Sequence, residues 1–334
     1  MLKLKFHKIL YLAMTGVVCL LLLEAGIRSV FFVRNKINPP GRILSTEFGW
    51  VTRPNRHGRE IVKGYGEIDF STTKLGFRVF GDINTTKTKI FIIGDSFTCA
   101  ETVSDGWTYY DYLRKNNDNV EIFACGTGGH GSLQEYMVMD KYLDLIKPDI
   151  ILWQFCGNDF VNNEYEFEAK SIVNDFMVRP YYIDDKIQYL FPGQTSSWWC
   201  LVTKHSYLAR FLSVRINLLK GRSEENVSGE NHPLFKKSVI TTSKIIRLVR
   251  KRSGNIPVIA FSSDMGYAKI VSDIFKNNNI CFLPAIPEAV KEMKESGVIV
   301  DGSPWDRCHW NNTGHSIVGK EILDYLIKND LVFI

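Results

Sequence analysis

The sequence lacks the features that mark several common classes of protein. Its seven cysteines form no Cys-x-x-Cys pair, which argues against a zinc site or a redox motif, and their odd number argues against a disulfide framework. The net charge is only +5, from 41 basic and 36 acidic side chains spread along the chain. So small and diffuse an excess argues against a nucleic-acid partner. Internal repeats and low-complexity tracts are also missing, which leaves a globular chain of ordinary composition.

The amino terminus has the pattern of a membrane anchor. A basic start precedes fifteen uncharged residues, a length typical of a signal-peptide core and short for a membrane span. No small-x-small cleavage pattern follows Leu23, however, and an ion pair between Glu24 and Arg28 would extend the apolar stretch toward Val33. We therefore predict an uncleaved signal anchor over residues 1–36, with its basic start in the cytoplasm and the rest of the chain outside. A cleaved signal peptide and a buried helix are the alternatives.

Beyond the anchor, the pattern predicts an extension followed by an α/β domain. Residues 37–87 form a Pro- and Gly-containing linker and an irregular segment with short strand-like pieces. In residues 88–334, strands alternate with helices, which predicts a parallel sheet covered by helices on both faces. The predicted strands are 89–93, 120–124, 150–155, 256–262 and 280–283, and the predicted helices lie near 105–116, 132–146, 236–252, 265–277 and from about 312.

An insertion over residues 160–235 interrupts this alternation. It contains a predicted hairpin at 181–190 and an amphipathic helix within 205–220. Because the insertion leaves the carboxyl end of the third strand, where open parallel sheets bind ligands, we expect it to lie over the edge of the site. Its aromatic side chains are expected to pack the insertion onto the body, with contact to a pocket or a membrane as the alternative; they are Tyr181, Tyr182, Trp198 and Trp199.

Three turns with chemically useful residues follow the first three predicted strands. Gly94-Asp95-Ser96 follows the first strand, where either Asp95 or Ser96 could cap the next helix, so Ser96 is either a cap or a nucleophile. Gly157-Asn158-Asp159 follows the third strand, and the amide of Asn158 is either a turn residue or a hydrogen-bond donor for an oxyanion. The carboxyl ends of parallel strands meet at one edge of the sheet, so these turns should lie together.

The turn after the second strand, GTGGHG at 126–131, has two interpretations. It matches the Gly-x-Gly-x-x-Gly pattern of dinucleotide-binding proteins, but the acidic residue that a nicotinamide site needs comes about thirty residues later instead of about twenty. An extracytoplasmic location also argues against a nicotinamide cofactor. We therefore favour a glycine-rich turn whose backbone N–H groups face a site, and we expect His130 within it to lie at the surface, with substrate contact as the alternative.

Near the carboxyl terminus, Asp306 stands three residues before His309. In a turn, this spacing lets a carboxylate hold one ring nitrogen while the other ring nitrogen faces a nucleophile, although such a pair alone is usually accidental. His315 is expected to pack or form local hydrogen bonds at the start of the last helix.

In combination, the three turns and the Asp306/His309 pair resemble the conserved motifs of the SGNH/GDSL hydrolase family. The motifs occur in the same order, and the resemblance extends from about residue 88 to residue 322. The segments LLLEAGIR and LGFR add a likeness to membrane-attached bacterial members. The resemblance implies a three-layer α/β/α sandwich with a flavodoxin-like, five-stranded parallel sheet, here with an amino-terminal transmembrane helix. The sequence departs from the family pattern at two points. No residue separates Gly157 from Asn158, and Trp310 stands where proline is usual after the histidine, which indicates a different acyl pocket.

The resemblance also implies a function and a set of site residues. Ser96 matches the nucleophile, Asp306 and His309 match the rest of the triad, and Ser96, Gly129 and Asn158 match the oxyanion donors; no metal or organic cofactor is needed. The implied activity is that of a serine esterase acting on acyl groups of envelope carbohydrate or lipid, with the catalytic domain outside the cytoplasm. Two alternatives remain: an O-acyltransferase that moves acetyl groups onto an extracytoplasmic polysaccharide, and a non-catalytic envelope protein that binds a glycan or a partner.

Overall fold

The chain divides into two compact units. The computed structural model describes residues 2–37, 41–62, 65–169, 171, 177–191, 198, 202, 205–213, 215–216, 229–303 and 306–333. One unit comprises Met1–Pro40, Ala169–Ile172 and Gly193–Val227. The other comprises Gly41–Glu168, Val173–Pro192 and Ser228–Ile334, and therefore includes most of the amino-terminal extension together with the α/β region.

The smaller unit is built on the helix α1 (Leu2–Ile37). Its segment His7–Val33 has a mean hydropathy of 2.1 and is long and apolar enough to cross a membrane, a property that a secretory signal sequence shares. The predicted ion pair is present, since Arg28 Nε lies 2.7 Å from Glu24 Oε1. Glu24 also accepts hydrogen bonds from the backbone N–H groups of Tyr207 and Leu208, at 2.9 and 2.8 Å. These contacts place the carboxylate at the start of the helix at 207–213, within the predicted amphipathic segment.

The larger unit is organised around a six-stranded sheet. Five strands are parallel, and their order, second–first–third–fourth–fifth along the chain, is the flavodoxin-like order that the sequence predicts. They are β6 (Thr88–Gly94), β7 (Val120–Gly126), β8 (Ile150–Phe155), β11 (Val258–Ser262) and β12 (Cys281–Phe282). The sixth strand, β5 (Val79–Phe80), pairs antiparallel with β7 at the edge, so the prediction of a purely parallel five-stranded sheet was one strand short.

Helices cover both faces of this sheet, which makes the three-layer α/β/α sandwich. Because β6 is buried on both sides, Phe91 and Ile93 face one layer while Ile90 and Ile92 face the other. The first layer contains α4 (Ser132–Ile146), α7 (Pro233–Ser253) and α8 (Ala268–Lys276), and the second contains α3 (Tyr109–Asn116), α9 (Ala285–Glu295) and α10 (Asn312–Lys328). Short helices at the carboxyl edge of the sheet are α2 (Ser96–Cys99), α5 (Asp159–Asn162) and α6 (Tyr165–Glu168), and a 3₁₀ turn spans Gly229–Asn231.

The remaining strands form antiparallel hairpins. The extension, predicted to be irregular, contains two regular hairpins. The predicted hairpin in the insertion is confirmed, and the last hairpin carries His309. The four pairs are β1 (Arg42–Ser45) with β2 (Gly49–Thr52), β3 (His57–Val62) with β4 (Gly66–Ser71), β9 (Arg179–Ile183) with β10 (Lys186–Leu190), and β13 (Asp301–Ser303) with β14 (Asp306–Trp310).

Candidate active site

The turn after β6 brings Ser96 to the carboxyl edge of the sheet. Asp95 is fully buried, and its carboxylate accepts a 3.0 Å hydrogen bond from the backbone N–H of Phe97, so Asp95 is the N-cap of α2. Ser96 is the first residue of the helix. Its hydroxyl therefore does not serve as the helix cap, and the role of Ser96 as a nucleophile stays a prediction.

The backbone of α2 lies in close contact with the end of β7, and this contact constrains the turn that carries Ser96. A methyl group on Gly126 would lie 2.1 Å from the backbone nitrogen of Cys99, so only glycine allows the strand to pass here. On the other side of β6, the side-chain oxygen of Gln154 accepts hydrogen bonds from the backbone N–H of Asp95 and from the hydroxyl of Thr98, at 3.1 and 3.0 Å. The turn that carries Ser96 is thus held by two neighbouring strands of the sheet.

His309 on β14 faces Ser96. The distance from His309 Nε2 to Ser96 Oγ is 2.8 Å, which is hydrogen-bond contact. The ring also packs on Phe97, with 4.9 Å between ring centroids, and the carbonyl of His309 accepts a 3.0 Å bond from the hydroxyl of Tyr65. A serine hydroxyl in contact with an imidazole nitrogen can give up its proton as its oxygen attacks an electrophilic carbon.

Asp306 begins β14, on the same strand as His309. The side chain of Asp306 lies outside the described residues, so its role as the acid of the triad stays a prediction.

The two predicted oxyanion residues lie on turns at this same edge. Gly129 has φ +77°, in the region that favours glycine, and its neighbour Gly128 lies against Ser96: a methyl group on Gly128 would be 3.9 Å from Ser96 Cβ. Asn158 precedes α5 and lines the same cavity as Ser96 and His309. The roles of the Gly129 N–H and the Asn158 amide as oxyanion donors stay predictions.

The cavity next to Ser96 has a volume of about 600 Å³ and combines apolar and charged walls. Residues of α9 form one wall of this cavity, and none of the described lining residues comes from 160–235; that the insertion lies over the site edge stays a prediction. The described lining residues are Ser96, Phe97, Cys156, Asn158, Ser263, Asp264, Met265, Pro287, Val290, Lys291, Lys294, Asp301, His309 and Trp310.

Two groups in this cavity were missed by the sequence analysis. Asp264 accepts a 3.0 Å hydrogen bond from the backbone N–H of Gly157 and so supports the turn that carries Asn158. Asp264 follows β11, the fourth strand of the parallel sheet along the chain. Because the carboxyl ends of all these strands meet at the same edge, its position after a strand end was the signal that could have identified it. Along α9, Pro287, Val290 and Lys291 recur at helical spacing and face the cavity.

Three carboxyl groups are buried beneath the site. Asp159 accepts a 3.1 Å hydrogen bond from the hydroxyl of Ser132, and Glu135 accepts a 2.6 Å bond from the indole N–H of Trp153. Burial raises the pKa of Asp95 above its usual value and raises the pKa of both Glu135 and Asp159 well above theirs. Burial therefore favours the protonated, neutral form of these groups, in which they act as hydrogen-bonding groups of the interior.

Two further histidines are structural. Burial lowers the pKa of His315 to about 3, and its Nδ1 accepts a 3.3 Å hydrogen bond from the backbone N–H of Tyr109 on α3. His315 therefore packs at the start of α10, as one of the two predicted alternatives, while this hydrogen bond reaches a distant segment and is not local. The prediction that His130 lies at the surface was wrong. Its ring is buried with Nε2 2.9 Å from the carbonyl oxygen of Trp50, and burial lowers its pKa to about 3. The sequence could not reveal this because the extension, distant along the chain, covers His130.

The predicted aromatic residues of the insertion differ in their burial and contacts. Tyr181 is buried, donates a 2.7 Å hydrogen bond to Glu168 and packs edge-on against Tyr165, both within the insertion, so these contacts leave packing onto the body a prediction. Trp198 is 63% exposed. Trp199 lies outside the described residues.

Comparison with known proteins gives structural matches only. No protein-family model and no curated protein matches the chain. A member of the lipolytic G-D-S-L family from Veillonella parvula is 12% identical, with 72% of this chain and 98% of that chain covered and a TM-score of 0.42. A lipase/acylhydrolase from Enterococcus faecalis is 13% identical (72% and 96% covered, TM-score 0.41), and the esterase EstA from a Pseudoalteromonas species is 12% identical (73% and 99% covered, TM-score 0.40).

The first of these descriptions names the family that the sequence motifs resemble. At such identities and TM-scores, the function of this chain has to be inferred from its own site.

Proposed function

We propose that the protein is a serine esterase of the SGNH/GDSL type that works through an acyl-serine intermediate. The observation that carries this proposal is the 2.8 Å contact between Ser96 Oγ and His309 Nε2 beside an open cavity. Since Asp95 caps α2, helix capping does not account for the position of the Ser96 hydroxyl.

The reaction would proceed in two acyl-transfer steps. Ser96 Oγ attacks the ester carbonyl while His309 accepts its proton, and the resulting tetrahedral oxyanion is held by the N–H groups of Ser96 and Gly129 and by the amide of Asn158. Collapse of this intermediate expels the alcohol, which takes the proton from His309. Water, deprotonated by His309, then attacks the acyl-serine, and collapse of this second intermediate releases the acid while Ser96 Oγ takes the proton back from His309. Asp306 would orient the imidazole and stabilise its charged form.

The cavity wall supports an ester with an apolar acyl part. Phe97, Met265 and Trp310 line the cavity next to Ser96; Met265 is exposed, while the rings of Phe97 and Trp310 are buried behind the cavity surface, and Trp310 stands where the family usually has proline. Phe97 and Trp310 pack edge to face, with 4.7 Å between ring centroids. We propose that the acyl chain lies against this wall and that the alcohol part of the ester, envelope carbohydrate or lipid, leaves toward the open side.

Ester turnover by the full-length protein in detergent tests this function. We expect it to cleave short-chain nitrophenyl esters to the free acid, with free acid remaining the main product when a sugar acceptor is added. Acylated sugar as the main product would instead support the O-acyltransferase alternative. Binding of a glycan without any ester turnover would instead support the alternative that the protein is a non-catalytic envelope protein.

We further propose that α1 anchors the protein, with its amino terminus in the cytoplasm and the larger unit outside. The apolar length of His7–Val33 and its basic start support this topology. A phosphatase reporter that folds only outside the cytoplasm, fused after Pro40, should be active and should sediment with membranes. An inactive fusion would overturn the orientation, and a soluble, shortened fusion would indicate a cleaved signal peptide.

A further inference from the structure

The carbonyl oxygen of Gly128 accepts two hydrogen bonds from the extension. Arg42 Nη1 lies 2.8 Å from this oxygen and Trp50 Nε1 lies 3.0 Å from it. Both donors belong to the β1–β2 hairpin, and the side chain of Trp50 is completely buried. A guanidinium and an indole thus converge on one backbone carbonyl beside the turn that carries Ser96.

This carbonyl belongs to the middle peptide of a tight turn. The N–H of His130 donates a 3.0 Å bond to the carbonyl of Thr127, and Gly129 has φ +77°, the value of the third residue in a type II turn. The peptide between Gly128 and Gly129 takes no part in the hydrogen bond that closes the turn. Both its carbonyl and its N–H are therefore available to partners outside the turn.

The position of the carbonyl fixes the direction of the N–H. In a trans peptide, the C=O and N–H bonds point in opposite directions, and the described part of the chain contains no cis peptide. With the Gly128 carbonyl held by the extension, the Gly129 N–H points away from the extension. Ser96 lies beside this turn, since a methyl group on Gly128 would be 3.9 Å from Ser96 Cβ.

The rest of β2 holds the same turn along its length. The hydroxyl of Thr52 donates to the carbonyl of Gly126 at 3.0 Å, and the backbone N–H of Thr52 donates to the hydroxyl of Thr127 at 3.3 Å. The ring of His130 bonds the carbonyl of Trp50 at 2.9 Å. Because these groups are buried, the turn cannot rotate without breaking several hydrogen bonds inside the protein.

We propose that Arg42 and Trp50 are positioning residues for the oxyanion site. They hold the Gly128–Gly129 peptide so that its N–H faces the position of the oxyanion. Their bonds to the carbonyl also draw electron density from the peptide nitrogen, and the charge of Arg42 makes its bond the stronger of the two. This inference rests on the proposed function, because an oxyanion forms only if Ser96 attacks an ester. A donor aimed at developing charge stabilises the transition state more than the bound ester. Replacing Arg42 or Trp50 should therefore lower kcat and change KM little.

The test compares Trp50→Phe, Arg42→Gln and the double variant with two matched controls in the full-length protein. Trp50→Phe removes the indole N–H and keeps an aromatic ring, while Trp153→Phe removes a buried indole N–H that bonds Glu135. Arg42→Gln removes the guanidinium, while Arg59→Gln removes one from another hairpin of the extension, where it pairs with Asp69 and Glu67. Circular dichroism and thermal unfolding serve to check that each variant is folded.

We expect Trp50→Phe and Arg42→Gln each to lower kcat about tenfold with KM nearly unchanged, since weakening one oxyanion donor costs less than the roughly 100-fold of removing one. The double variant should lose more than either, Arg42→Lys should recover part of the rate, and both controls should keep the kcat of the wild type. A folded double variant with wild-type kcat, or a loss confined to KM, overturns the positioning role while leaving the esterase proposal intact. A wild-type protein that neither cleaves esters nor reacts with a phosphonate at Ser96 overturns both.

Discussion

Replacing Ser96 with alanine should abolish ester turnover while leaving the fold intact. The variant lacks the attacking oxygen, and loss of the nucleophile in a serine hydrolase lowers kcat by a factor on the order of 10⁵ to 10⁶. The stability cost should be small, about 1 kcal/mol or less, because Ser96 is partly exposed and loses one hydrogen bond, to His309. The helix keeps its cap on Asp95. Turnover of a nitrophenyl ester and the free energy of unfolding measure the two effects separately.

Thr108→Ala is the matched control for this substitution. Thr108 caps α3, its hydroxyl accepting a 3.1 Å bond from the N–H of Asp111 in a capping box. Its loss should lower the free energy of unfolding by about 1 kcal/mol and leave ester turnover unchanged. If Ser96 were merely a structural residue, the two variants would behave alike. Substantial turnover by a folded Ser96→Ala protein would remove Ser96 from the mechanism.

Replacing His309 with alanine should cost nearly as much activity as replacing Ser96. Without the imidazole, the Ser96 hydroxyl has no base at 2.8 Å to take its proton, and the leaving alcohol has no acid. Because Ser96 and His309 act in the same step, the double variant should be little worse than either single variant. The measurement is kcat for the two single variants and the double variant, on one ester.

His315→Gln is the matched control for the histidine. His315 is buried and neutral, and it bonds the backbone N–H of Tyr109, so its replacement should change stability and leave kcat close to that of the wild type. Losses that multiply in the Ser96→Ala/His309→Ala double variant would show that the two residues act independently. That result would contradict the proposed proton transfer between them.

The sheet could be predicted from the sequence because its strands are buried on both faces. Uninterrupted apolar runs such as Ile90–Ile93 occur where a strand lies between two layers of helices, and the glycine and polar residues after them mark the strand ends. β5 escaped prediction because two residues, Val79 and Phe80, carry no periodic pattern and are placed by pairing with β7. α9 was also missed, although Pro287 lies in its first turn, where helices accept proline.

The candidate site was predictable where its residues follow strands and unpredictable where distant segments meet. Ser96 and Asn158 each follow a strand end, so the topology alone brings them to one edge. The contacts of Arg42 and Trp50 with Gly128 join segments far apart in the chain, and no local sequence pattern predicts such contacts. The burial of His130 was missed for the same reason, since the extension that covers it was predicted to be irregular.

The pairing of Ser96 with His309 is tested most directly by the rate at which a serine-directed phosphonate labels the full-length protein, with the labelled residue identified by mass spectrometry. We expect one label per chain, on Ser96, and labelling slower by several orders of magnitude in the His309→Ala variant, because His309 activates the attacking oxygen. His315→Gln should label at nearly the wild-type rate. Labelling of another residue, or equally fast labelling of Ser96 without His309, would contradict the claim that Ser96 and His309 form a nucleophile–base pair.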